Sequence, residues 1–127
     1  ITNIPGISKC FERGVVCYSN ISKKQLLNVK EQTLDYYGAV SLQTAAEMAR
    51  GIRLLAGTDI GLSTTGIAGP TGGTDKKPVG LVYIGYSDIT GETVQKYVFS
   101  GTRNNIKLQA CNAAFHLVGK KLKDLGD

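Results

Sequence analysis

Residues 64–74, Thr64-Thr65-Gly66-Ile67-Ala68-Gly69-Pro70-Thr71-Gly72-Gly73-Thr74, constrain this chain more than any other stretch. Asp59-Ile60-Gly61-Leu62-Ser63 precedes them and reads as a short buried strand. Pro78-Val79-Gly80-Leu81-Val82-Tyr83-Ile84-Gly85-Tyr86 follows and reads as another. A loop dense in glycine and hydroxyl groups therefore joins two strands. Glycine admits positive φ and lets a ligand approach the backbone closely. Successive exposed N–H groups can form an anion-binding concavity. The same residues are also ordinary turn formers; their density favours a binding loop. It is neither a Walker loop nor a dinucleotide fingerprint, because no GK[ST] triplet is present and no helix follows the glycines.

The order of patterns around the loop sets the expected fold. Ser8 to Arg13 reads as a short helix or turn, and Gly14-Val15-Val16-Cys17-Tyr18-Ser19 as a strand covered on both faces. Ser22 can cap a short helix from Lys23 to Leu27, and Thr33 to Tyr37 a further helical turn ended by Gly38. Ser41 caps a longer helix with Leu42, Ala45, Ala46, Ala49, Ile52 and Ala56 on one face and Gly57 as its stop. After the loop, residues 80–86 and 93–99 form a hairpin around residues 87–91. A final helix spans Arg103 to Leu122, its core face made by Ile106, Ala110, Ala113, Ala114, Leu117 and Val118. The sequence predicts one α/β domain over residues 1–127, with helices on both faces of a mixed sheet.

Composition excludes several classes. Its 127 residues are 42% hydrophobic and 20% charged, as in globular domains. No run of about 18 apolar residues exists, so no spanning helix and no membrane partner are expected. The net charge of +5 is spread out, without a basic stripe interleaved with aromatics, so no nucleic-acid partner is expected. An anionic small substrate accounts for the charge equally well. Cys10, Cys17 and Cys111 form no framework and read as small hydrophobes of a reducing, cytoplasmic protein. With one histidine, His116, and no acidic cluster, no metal site is expected.

Tyr18 and Lys23 bracket the turn between the first strand and its following helix. A strand end aiming both side chains into one cleft would let the lysine act as a general base for a hydroxyl nucleophile. A buried tyrosine and a surface lysine fit the same spacing.

Pro5-Gly6-Ile7-Ser8, the run from Gly14 to Asn20, Gly38-Ala39-Val40-Ser41, the run from Thr65 to Thr74, Lys77-Pro78-Val79-Gly80 and Phe99-Ser100-Gly101-Thr102-Arg103 occur in a telling order. In that order the chain resembles the CinA C-terminal domain family, the PncC type of nicotinamide-nucleotide amidase. The likeness covers nearly the whole chain. It implies a three-layer α/β/α fold with a mixed, mostly parallel sheet. It implies hydrolysis of nicotinamide mononucleotide to nicotinate mononucleotide and ammonia, without metal or cofactor. Tyr18 and Lys23 would be the partners of a nucleophilic serine. Thr65 and Gly66 would line the carboxamide end. The loop residues Ala68, Gly69, Gly72, Gly73 and Thr74, with Arg103, are candidates for the rest of the nucleotide and its phosphate.

The chain departs from the family at two points. Arg13 stands where glycine is usual. The family's Glu-Ser-Cys-Thr-Gly-Gly nucleophile motif does not occur in these 127 residues. The family spacing places it shortly before Ile1, so the domain is expected to lack its N-terminal segment here. A non-catalytic nucleotide-binding or regulatory module is the alternative, and a homo-oligomer is compatible with either.

Overall fold

The computed structural model describes residues 1–126. A 3₁₀ turn, Ile7–Lys9, leads into an extended stretch. Then come α1 (Asn20–Leu27), α2 (Glu31–Tyr37), α3 (Leu42–Ala56), β1 (Gly61–Gly66), β2 (Leu81–Asp88), β3 (Gly91–Val98) and α4 (Arg103–Gly126).

The strands form one sheet in the order β1-β2-β3, and both pairings are antiparallel. The α/β class holds, but the expected mixed, mostly parallel sheet does not. Two physical reasons account for this. First, parallel neighbours need a crossover of a dozen or more residues, usually a helix. The β1–β2 connection has no helix; it is the glycine loop, and it turns the chain straight back. Second, Gly14–Ser19 makes no ladder with any described strand. It runs extended, with Val15 and Cys17 packed inward while Val16 and Tyr18 are each 87% exposed. The apolar run is thus covered on one face, not two.

Helices flank the sheet as the pattern predicts. Along β2, Val82, Ile84 and Tyr86 point to one face and meet Ile106, Ala110, Ala114 and Leu117 of α4. Burial of Ile106 and Leu117 stabilises this layer by about 1.5–3 kcal/mol for each side chain. Helix α3 covers the other face at close range. A Cβ at Gly85 would strike the Ala45 carbonyl oxygen, and Ser63 Oγ already donates to that oxygen at 2.7 Å. A second apolar cluster, Leu27, Val29, Leu34 and Met48, ties α1 and α2 to α3.

Local chemistry sets the helix ends. Ser41 Oγ accepts from Thr44 N at 3.1 Å, and Gly57 closes α3 in the left-handed region. In α1 the cap is Ser19, whose Oγ accepts from Ser22 N at 3.0 Å. The helix accordingly starts at Asn20 rather than Lys23. Among the described residues no helix is long and apolar enough to cross a membrane.

Candidate functional site

Three consecutive carbonyls at the end of α2, those of Tyr37, Gly38 and Ala39, organise the region beside the glycine loop. Lys77 Nζ donates to Tyr37 O at 2.6 Å. Ser41 Oγ and Thr44 Oγ1 donate to Gly38 O at 3.0 and 2.8 Å. Thr65 Oγ1 donates to Ala39 O at 2.6 Å. The last carbonyls of a helix have no partner within it. Here the glycine loop, the α3 cap and strand β1 each supply a donor to this short connection. Thr65 is buried, so its hydroxyl proton is committed to Ala39 while its lone pairs stay available as acceptors.

The loop leaves Gly66 in a defined shape. Ile67 N donates to Leu81 O at 2.9 Å, and Gly80 N donates to Ile67 O at 2.7 Å, closing its base. Thr74 N donates to Lys77 O at 2.8 Å, and Lys77 N donates to Thr74 Oγ1 at 3.0 Å, closing its tip. Gly69 and Gly72 take positive φ, 75° and 93°. Arg103 Nη1 donates to Gly69 O at 2.8 Å, so the first residue of α4 holds the loop. Among the described residues, the N–H groups of Ala68, Gly72 and Gly73 find no protein acceptor. Gly72 and Gly73 are exposed. N–H groups left unpaired in this way are available to an acceptor from outside the chain.

Lys23 and Tyr18 share no hydrogen bond with that region among the described residues. Lys23 is only 6% exposed, yet its ammonium has a single partner, Cys17 O at 3.0 Å. Among the described residues no carboxylate pairs with it. Burial pushes the Cys17 thiol up, and the neighbouring Lys23 charge offsets part of that. Tyr18 projects from the extended stretch and makes no side-chain hydrogen bond among the described residues. The structure thus groups Thr65, Gly66, the loop and Arg103, and separately places Tyr18 next to the Lys23–Cys17 contact. No hydrogen bond joins the two groups.

Sequence reasoning did not assign Lys77, Ser41 and Thr44 to this region. Ser41 was legible as a helix cap, but its second role, holding Gly38 O, depends on α2 ending alongside. Lys77 carried one signal, its place at the exit of the glycine loop just before Pro78.

Two shallow hollows lie elsewhere. One of about 530 Å³ runs along α4 past Phe115, His116 and Lys120, and one of about 370 Å³ lies between α1, α2 and α3 near Glu47. Neither is lined by Tyr18, Lys23, Thr65 or the glycine loop. Among the described residues no three His, Cys, Asp or Glu side chains gather as a metal ion would need.

Comparison with known proteins adds a family. The family model of the CinA C-terminal domain matches residues 1–122. A CinA-like protein of Kosmotoga olearia is 52% identical over 126 residues, which cover 98% of this chain and 30% of that protein. The crystal structure of the competence damage-inducible protein A from Klebsiella pneumoniae superposes with a TM-score of 0.92 at 30% identity. That match covers 96% of this chain and 76% of the other. A competence/damage inducible protein from Agrobacterium tumefaciens gives a TM-score of 0.86 at 37% identity, covering 92% of this chain and 72% of the other. The chain spans about 30% of the length of the curated relatives it matches.

Proposed function

This chain belongs to the CinA C-terminal domain family, and from that premise we propose that it forms part of an amidohydrolase acting on nicotinamide mononucleotide. The products are nicotinate mononucleotide and ammonia. The observation that carries the proposal is Lys23: a side chain only 6% exposed whose Nζ donates to Cys17 O and pairs with no carboxylate among the described residues. A lysine drawn inward to a strand-side carbonyl, with no carboxylate partner, is placed to serve a reacting hydroxyl rather than an ion pair.

In this mechanism the neutral amine form of Lys23, with Tyr18, takes the proton of a serine hydroxyl as it attacks the carboxamide carbon. The C–N bond breaks, ammonia takes that proton, and water releases the acyl group as the carboxylate. The serine is the one the family's Glu-Ser-Cys-Thr-Gly-Gly motif would supply, and that motif does not occur in these 127 residues. Thr65 and Gly66 face the carboxamide end. The unpaired N–H groups of Gly72 and Gly73 and the remaining donors of Arg103 hold the phosphate.

A second reading has its own support. Tyr18 is almost fully exposed, and no hydrogen bond connects it or Lys23 to the loop. A nucleotide-binding module that regulates a partner domain would show the same loop without needing a base. Ammonia release from nicotinamide mononucleotide by the intact protein decides between them. Turnover that disappears in Lys23→Met supports the amidase; tight binding with no turnover supports the module.

A further inference from the structure

We propose that Lys77 is a positioning residue that straps the tip of the glycine loop to the end of α2. The loop base is held at several points, by the Ile67–Leu81 and Gly80–Ile67 bonds and by Arg103. The tip is different. Among the described residues, the hydrogen bonds of residues 70–77 are the internal Thr74–Lys77 pair and one bond leaving the loop. That one bond runs from Lys77 Nζ to Tyr37 O, at 2.6 Å.

The strap has matched parts. Tyr37 O is a terminal helix carbonyl, which lacks an intrahelical partner and carries partial negative charge, so an ammonium suits it. Gly38 takes φ 82°, and a Cβ there would lie 2.8 Å from Lys77 Nζ. The glycine therefore clears the path of the lysine as well as ending the helix. Lys77 is half-buried and has no carboxylate partner among the described residues. Pro78 follows directly and fixes φ at the loop exit. The neighbouring carbonyls Gly38 O and Ala39 O are held from α3 and β1. The anchor is thus rigid, and Lys77 transmits that rigidity to the segment carrying the Gly72 and Gly73 N–H groups.

The consequence for substrate rests on the amidase proposal; the strap itself does not. Donors fixed in advance spare a ligand the cost of ordering them. Loss of the strap should weaken ground-state binding without touching the proton-moving groups.

The test compares Lys77→Met and Lys77→Arg in the intact protein. In Lys77→Met the bonded amides of Thr74 and Lys77 should exchange about tenfold faster, the worth of one charge-assisted hydrogen bond. Amides of β2 and α3 should be unchanged. KM for nicotinamide mononucleotide should rise about tenfold with kcat altered less than about threefold, and Lys77→Arg should recover part of both effects. Unchanged exchange at Thr74 and position 77 in folded Lys77→Met overturns the strap. A fall in kcat at constant KM overturns its role in ground-state binding. If Lys77→Met melts far below the parent, Lys77→Ala, which likewise removes the donor, is read the same way. A parent protein that binds but never hydrolyses nicotinamide mononucleotide refutes the amidase; the exchange comparison then still decides the strap.

Discussion

Arg103 Nη1 lies 2.8 Å from the carbonyl oxygen of Gly69, joining the first residue of α4 to the glycine loop across 34 positions of sequence. A guanidinium has five donors in a fixed fork, so this bond leaves others for an anion. Arg103→Lys keeps the charge but loses the fork. Affinity for nicotinamide mononucleotide should fall about tenfold, a loss of about 1.4 kcal/mol, with a small change in melting temperature. Titration calorimetry beside a thermal melt checks both. Unchanged affinity would remove Arg103 from the site.

Lys23→Met keeps the buried stem and removes the ammonium. Amidase turnover should drop roughly 10²–10⁴-fold, the range for a positioned acid or base. The protein should remain folded, because a methionine fills much of the same volume at this buried position. Ammonia release within twofold of the parent would exclude Lys23 as the base.

Gly69 sits at φ 75°, and a Cβ there would press on the Val79 side chain. Gly69→Ala should therefore cost about 1–2 kcal/mol from the left-handed backbone alone, plus a steric part. Adding Val79→Ala should restore only the steric part. A double-mutant cycle from denaturant unfolding measures the split. Full additivity would show that the two residues do not meet. Binding losses in Gly69 variants consequently need correction for folding.

Tyr86 is 1% exposed, and its phenolic oxygen has no hydrogen-bond partner among the described residues. Burial, with the Asp88 carboxylate adding to it, pushes the phenol up to about 12. The folded chain then holds this proton more tightly than the unfolded chain does. Stability from this group is full below about pH 10 and is lost as pH rises from about 10 to about 12, by roughly 2–3 kcal/mol. Tyr86→Phe should leave stability at pH 7 within about 1 kcal/mol and should flatten the alkaline loss. Urea midpoints measured from pH 8 to pH 11.5 test this; an equally steep loss in Tyr86→Phe would place its origin elsewhere.

Much was legible in the residues themselves. The helix from Leu42 to Ala56 announced itself through Ser41 and Gly57, because a cap and a left-handed stop act within a few positions. The core face of α4 followed from spacing alone, since Ile106, Ala110, Ala114 and Leu117 recur at the helical period. The hairpin of β2 and β3 and the glycine loop were local signals as well. What the sequence did not disclose depends on neighbours. Gly14–Ser19 has a strand's composition, but a strand is defined by its partner, and among the described residues it has none. Strand direction followed from the loop turning the chain back, which composition does not encode. The contacts of Lys77 with Tyr37 and of Thr65 with Ala39 join residues 40 and 26 positions apart. Periodicity and caps are short-range physics and can be read along the chain. Pairing, and the orientation of a donor toward a distant carbonyl, exist only once helices and sheet have packed.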